Sequence, residues 1–232
     1  MTRCFLFLGL VFISFSVKAQ DYLLRDFESW WNAGVNYKHN KFINVAFDQN
    51  LRFNEGSGDL QQYFTEIKLS LEPINKLDFD TEIRMGIKNG EILNHNFFRY
   101  RFNLSYKIDF GKLEITPRIG YQNRTIYRWP FRNNDLNVDM RYKVEALYKI
   151  KNWKADPCLS FEIFRHLNAN KGPSWDRFRI RLSTEIKTSK KSEIDVFCAY
   201  ENEMGEDTPL EVFFVGTAFT FKVKRKVKMP KE

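Results

Sequence analysis

The chain has 232 residues, 43% of them hydrophobic, and a formal net charge of +8, so its length suits one β-barrel or β-sandwich domain. The eleven residues from Lys222 to Glu232 include six basic residues and one acid, so much of the positive charge belongs to a C-terminal tail. This concentration argues against a general nucleic-acid-binding surface. Beyond the N-terminus, no apolar run approaches the ~20 residues of a membrane-spanning helix.

The N-terminus has the pattern of a secretory signal peptide. Arg3 gives a basic start, Cys4 to Phe15 is an almost unbroken apolar run, and a small-residue cleavage site ends at Ala19. The run is too short to cross a bilayer as a helix, although an uncleaved anchor is the alternative. We therefore expect cleavage near Ala19. The predicted organisation is a signal peptide at 1–19, an N-terminal arm at 20–29, a β-barrel at 30–223 and a basic tail at 224–232.

Regular alternation of apolar and polar residues begins near the start of the mature chain. It runs from Trp31 to Tyr37, from Ile43 to Phe53, from Tyr63 to Leu71 and from Leu77 to Ile87. Successive side chains of a strand point to opposite faces, so a period of two predicts β-strands. Each strand would have one apolar face and one polar face.

The longest alternating segment, 97–122, predicts a β-hairpin that turns at Gly111. Phe98, Phe102 and Phe110 belong to one face, which is entirely apolar, whereas Arg99 belongs to the charged face. This hairpin therefore poses the main question of the fold, namely which face meets water and which meets lipid.

Five more alternating segments follow, at 138–150, 159–163, 178–186, 194–200 and 213–223, which gives eleven strands. Short connections follow residues 38, 72, 110, 150 and 187, and longer ones follow 53, 88, 124, 165 and 203. Bacterial outer-membrane barrels alternate short and long connections and have even strand numbers. We therefore predict an all-β, antiparallel up-and-down transmembrane β-barrel of about 12 strands, with 21–28 as the twelfth and ten as the lower alternative.

Strand length and aromatic placement favour a membrane barrel over a soluble one. A twelve-residue strand tilted by about 40° rises ~30 Å, which matches the apolar slab of a bilayer. Trp31, Trp129 and Trp175 near the long connections, with Phe110 and Trp153 near the short ones, suggest two interfacial girdles. The alternative is a secreted soluble barrel that binds an apolar ligand inside. We predict a monomer in the outer membrane, in contact with its lipid and inserted by the barrel-assembly machinery, with the tail in the periplasm.

The charged face predicts a network of ion pairs inside the barrel, because an unpaired buried charge is costly. Expected pairs are Glu82 with Arg84, Glu114 with Arg118, and Glu145 with Arg141. An anion-selective lumen is the functional alternative, since rings of charge set selectivity, but a structural network is favoured. The predicted network contains Arg99, Arg101, Arg118, Arg177, Arg179, Arg181, Glu82, Glu114, Glu145 and Glu185.

The sequence has no metal-ligand cluster, phosphate-binding loop or nucleophile elbow, and we predict neither a cofactor nor an enzyme. An outer-membrane lipid hydrolase remains an alternative. It would need a histidine with a nucleophile and a polar partner at the rim. The nominees are His39, His95, His166, Ser174 and Glu91.

Two cysteines remain in the mature chain, Cys158 and Cys198. They belong to opposite faces of non-neighbouring strands, whereas a disulfide requires Cα atoms within about 7 Å. We therefore predict two free thiols.

Three short stretches carry a resemblance to a known family. They are Asp26–Trp31, with its tandem tryptophans, and the arginine-rich strands Phe98–Arg101 and Asp176–Arg181. Together with the signal peptide, they make residues 26–223 resemble the small outer-membrane β-barrels grouped as domain of unknown function 2490. The resemblance implies a membrane barrel and brings no known activity or catalytic residues.

Overall fold

The computed structural model describes residues 24–54, 56, 58–90, 94–127, 135–151, 153, 155–167 and 174–224. All regular secondary structure in these residues is β-strand, in twelve segments. They are β1 (Leu24–Lys38), β2 (Ile43–Asn54), β3 (Asp59–Ile74), β4 (Leu77–Lys88), β5 (His95–Tyr106), β6 (Ile108–Phe110), β7 (Leu113–Tyr127), β8 (Asp135–Tyr148), β9 (Ala155–His166), β10 (Ser174–Lys187), β11 (Ser192–Glu203) and β12 (Leu210–Lys224).

The strands form one closed barrel with eleven strands in its wall. Consecutive wall strands pair antiparallel, β5 pairs with β7, and β1 closes the barrel by pairing with β12. The closing pair is parallel and runs from Leu24 opposite Leu210 to Lys38 opposite Lys224. In an up-and-down order each strand reverses the direction of the one before. An odd number of wall strands therefore makes the first and last parallel.

The predicted all-β barrel of about twelve strands is confirmed, but two details differ. Leu24–Ser29 are the described part of the predicted arm at 20–29 and include that of the predicted twelfth strand at 21–28, and these residues extend β1 along β12. This pairing satisfies backbone groups that an arm would leave exposed to water. The predicted signal peptide at 1–19 lies outside the described residues, as does the tail beyond Lys224.

The twelfth segment is the three-residue β6, which continues β5 along β7 in the same register. The interruption falls at Lys107, and in that register Pro117 of β7 lies opposite the preceding residue, Tyr106. Proline has no N–H to donate to the strand opposite. The Lys107 N–H bonds to the Lys76 carbonyl at 2.9 Å, on the side of the strand that faces β4. The predicted hairpin of 97–122 is therefore present, and its first strand, β5 with β6, is one long strand with a gap beside the proline of its second strand.

The apolar face of the strands points outward, and the charged face points inward. Phe102 is 41% exposed, whereas its neighbour Asn103 is 4% exposed. Buried charged residues include Glu82, Glu162, Asp139, Arg84 and Arg141. This arrangement is the reverse of a water-soluble barrel with an apolar core. Within the described part of the chain, no helix is long and apolar enough to cross a bilayer.

The two classes of connection lie at opposite ends of the barrel. The short turns 39–42, 75–76, 111–112 and 188–191 lie at one end, the short-turn end. The longer connections leave from Asn54, Lys88, Tyr127, His166 and Glu203 at the other end, the long-connection end. Of the aromatic residues expected at the ends, Trp175 is the second residue of β10 and Phe110 is the last residue of β6. Trp31 instead lies midway along β1. Trp129 falls outside the described residues.

Candidate functional site

The interior of the barrel is built around shared carboxylates. Glu66 Oε2 lies 2.6 Å from Nη2 of Arg84 and 3.0 Å from Nη2 of Arg99. Glu82 accepts hydrogen bonds from Arg101 and from Asn103. All of these side chains are at least largely buried. Such charge-assisted bonds are stronger than neutral ones and compensate for lost hydration.

The ion-pair partners of three arginines differ from those expected from the sequence. Arg84 pairs with Glu66 rather than Glu82, Arg118 pairs with Glu145 at 3.0 Å, and Arg141 pairs with Glu162 at 2.7 Å. The reason is geometric. Residues two or four apart on one strand lie about 7 or 13 Å apart, whereas residues opposite each other on neighbouring strands lie about 5 Å apart. These three arginines therefore pair across the strands.

The three arginines of β10 are also paired across strands. Arg179 bonds to Glu201, Arg181 bonds to Asp195, and Arg177 lies 3.6 Å from Glu201.

The remaining predicted acids lie toward the short-turn end. Glu114 accepts a 2.6 Å bond from Lys149, and Glu185 lies 3.9 Å from Lys222. The turn residue Lys76 lies 2.9 Å from Asp109. The hydrogen bond to Asp109 raises the pKa of Lys76, and the bond to Glu114 raises the pKa of Lys149.

Sequence reasoning missed a group of inward-facing aromatic side chains. Trp30 stacks on Phe214 with ring centroids 4.1 Å apart, and Phe197 meets both rings edge-on. Phe64 and Phe97 form a second edge-on pair. The sequence signal is an aromatic doublet, in which one ring faces outward and its neighbour faces inward. These doublets are Trp30-Trp31, Tyr63-Phe64, Phe97-Phe98 and Phe213-Phe214.

Arginines lie over these rings. The Arg52 guanidinium carbon lies 3.6 Å from the Trp30 ring centre, and that of Arg84 lies 3.8 Å from Phe64. Arg181 lies 4.0 Å from Phe197. Cation–π contacts of this kind gain strength where water is excluded. The interior therefore combines salt bridges with arginine–aromatic stacking.

Cavities occupy both halves of the interior. One of about 480 Å³ lies toward the long-connection end, and one of about 890 Å³ lies toward the short-turn end. Five residues line both cavities and mark the place where they meet: Trp30, Arg52, Arg84, Ser160 and Arg181.

The two cavities differ in charge. Ten arginines and two lysines line the cavity at the long-connection end, against four acids. The other cavity has six basic and six acidic lining residues. An excess of fixed positive charge in a confined space attracts anions.

The residues nominated for hydrolysis are partly brought together. His166 Nδ1 lies 2.8 Å from Asp139 Oδ1, and Asp139 is 2% exposed. Ser174 lies opposite His166 in the pairing of β10 with β9. His39 lies at the short-turn end, and Glu91 is outside the described residues. The structure thus adds Asp139 to two of the nominated residues, His166 and Ser174.

Cys158 and Cys198 are free, as predicted. In the part of the chain that the structure describes, no group of three or more potential ligands could hold a metal ion.

The fold and its interior define the class of protein, a closed mixed β-barrel in which many interior arginines pair with acids on neighbouring strands. Comparison with protein families then gives the particular group. Residues 27–208 match the family described as "Protein of unknown function (DUF2490)", and the chain belongs to it, which confirms the resemblance seen in the sequence. Comparisons with curated proteins and with solved structures found no match.

Proposed function

We propose that the protein is a monomeric, integral outer-membrane β-barrel with an occluded interior, and that its role is structural or consists of narrow transport or surface interaction. The observation that carries the proposal is the reversed distribution of side chains. Large hydrophobic residues such as Phe102, Ile119 and Leu182 are exposed, while Glu82 and Asp139 are buried. In water, a continuous apolar belt of this kind would promote association.

The dimensions of the wall support the same proposal. Ten of the eleven wall strands have 12 to 15 residues, and β3 has 16. At a tilt of about 40°, twelve residues rise ~30 Å, the thickness of the hydrocarbon layer. A soluble barrel that binds an apolar ligand would need the opposite orientation of the two faces.

Cell fractionation tests the location. The chain expressed with its leader in a Gram-negative host should appear in the outer-membrane fraction, and its folded form should migrate differently on gels before and after boiling. Intact mass should place the mature N-terminus after Ala19. Recovery as a soluble periplasmic protein would contradict the proposal.

The direction of the last strand predicts on which side of the membrane the C-terminal tail lies. β12 runs from the long-connection end to the short-turn end, and short turns face the periplasm in outer-membrane barrels. We therefore expect the residues after Lys224 to be periplasmic. A tag at the C-terminus should resist protease in intact cells and be cleaved after the outer membrane is permeabilised.

A second candidate function, hydrolysis of lipid esters, rests on Asp139, His166 and Ser174. These residues lie on the neighbouring strands β8, β9 and β10 in matching register, near the long-connection end. A carboxylate that holds the histidine Nδ1–H leaves Nε2 to accept a proton from a serine. The structure contains no hydrogen bond between Ser174 and His166 among its described residues, and such bonds often tighten only with substrate.

A fluorophosphonate probe tests this candidate. The probe should label the folded barrel and fail to label Ser174→Ala, whereas Ser70→Ala should be labelled like the wild type. Absence of labelling on the folded wild-type barrel would remove the candidate without affecting the membrane proposal.

A further inference from the structure

Three arginines occupy directly opposite positions on three neighbouring strands, near the long-connection end. Arg84 of β4 lies opposite Arg99 of β5, and Arg99 lies opposite Arg124 of β7. Like charges in directly opposite positions destabilise a sheet. Arg84 and Arg99 share Glu66, which lies opposite Arg84 on β3. One carboxylate therefore contacts two of the three guanidinium groups in this row.

Arg124 has no such partner. Its Nε and one terminal nitrogen are shielded from solvent and have no hydrogen-bond acceptor, and the described residues offer the side chain no ion pair. Its guanidinium carbon lies 5.2 Å from the Phe97 ring centre. A buried donor without an acceptor costs the full loss of its hydration. Among the described residues, the row thus carries a positive charge that no acid pairs with.

Further cations surround the same space. Lys88, Arg52 and Arg177 line the cavity together with Arg99 and Arg124. The described residues provide no ion pair for Arg52, which lies against Trp30 and Phe64 instead. The cavity holds about 480 Å³, which is enough for a small polyatomic anion.

We propose that this cavity binds a phosphate group carrying at least two negative charges, with Arg124 as its main contact and Lys88, Arg99 and Arg177 around it. Arginine presents a planar fork of donors that matches phosphate oxygens, and a buried guanidinium binds such a group in two-pronged fashion. The orphaned nitrogens of Arg124 are the donors that the ligand would satisfy. This proposal concerns the interior alone and does not depend on the membrane location.

Isothermal titration of the full mature chain in a non-ionic detergent and phosphate-free buffer tests the proposal. Two probes distinguish the source of the phosphate: inorganic pyrophosphate in solution, and micelles containing a lipid phosphomonoester. Binding of either probe should weaken by about 10-fold or more in Arg124→Gln, since that change removes charge-assisted bonds. Arg165→Gln, which alters an exposed arginine outside the cavity, should bind like the wild type.

Thermal unfolding gives an independent readout. Ligand-free Arg124→Gln should unfold at a higher temperature than the wild type, because it lacks the uncompensated charge. Pyrophosphate or the lipid phosphate should raise the midpoint of the wild type and leave that of Arg124→Gln nearly unchanged. The proposal is overturned if neither probe binds the wild type, or if Arg124→Gln binds as tightly as Arg165→Gln.

Discussion

The Glu66 carboxylate is shared by Arg84 and Arg99: the same oxygen, Oε2, lies 2.6 Å from one guanidinium and 3.0 Å from the other. Arg84 also lies over the Phe64 ring. A single acid on β3 therefore fixes side chains from β4 and β5. This link makes Glu66 a centre of the interior network, although it was not among the residues that the sequence nominated.

Glu66→Gln should strongly destabilise the barrel. The change leaves two buried guanidinium groups without their shared anion, and breaking a buried pair by removing one partner costs about 3–5 kcal/mol. Urea unfolding in detergent should measure the loss. Glu206→Gln, in the exposed connection before β12, should change stability by less than about 0.5 kcal/mol. Similar stability of the two variants would show that the network adds little.

Phe102→Arg should impair membrane insertion. Phe102 lies on the outward face near the middle of β5, and an arginine at the bilayer midplane of a barrel costs about 2–4 kcal/mol. Phe42→Arg, in the short turn after β1, makes the same chemical change outside the strands and should cost little. The measurement is the fraction that refolds into lipid vesicles in heat-modifiable form.

Asn103→Ala provides the comparison between the two faces. Asn103 is buried and donates a hydrogen bond to Glu82 at 3.3 Å. Because Glu82 keeps its bond from Arg101, Asn103→Ala should impair refolding less than Phe102→Arg. Equal tolerance of Phe102→Arg and Asn103→Ala would mean that the outward face does not meet lipid.

The sequence was sufficient to predict which face of each strand is apolar and which is charged, but not which arginine pairs with which acid. The alternation between Phe98 and Phe110 assigns every side chain of the hairpin to one of two sides, because strand geometry allows no other arrangement. Which acid meets which arginine depends on the register between strands, which the alternation leaves open. Arg118 therefore meets Glu145 across the sheet rather than Glu114 on its own face of β7.

The prediction of about twelve strands is confirmed, but the twelfth segment lies elsewhere in the chain for a related reason. Even numbers are a rule for bacterial single-chain barrels, and this rule led to the expectation of a separate strand before Trp30. The alternation of Leu24–Ser29 is poor in the sequence, yet every one of these residues pairs with β12, from Leu24 opposite Leu210 to Ser29 opposite Val215. Backbone pairing between the two ends of the chain leaves no local signal in the sequence.

Gly86→Ala should destabilise the barrel more than Gly120→Ala. A Cβ at Gly86 would lie 2.3 Å from the Tyr63 carbonyl oxygen and 2.7 Å from the Phe64 Cα, so the backbone of β3 would have to move. Overpacking of this kind costs about 1–3 kcal/mol. At Gly120 the close contact is the Asn103 side-chain oxygen at 2.5 Å, which is able to rotate away. Denaturant unfolding of both variants measures the difference, and a larger loss for Gly120→Ala would contradict the packing described.

Trp30→Ala should open a passage between the two interior cavities. Trp30 lines both cavities, stacks on Phe214 and lies beneath Arg52, so its removal frees space where the cavities meet. In planar bilayers the wild type should conduct weakly, because a filled constriction excludes ions, and Trp30→Ala should conduct measurably more. Phe213→Ala removes an outward-facing ring that lines neither cavity and should behave like the wild type. Equal conductance of Trp30→Ala and Phe213→Ala would show that Trp30 does not occlude the interior.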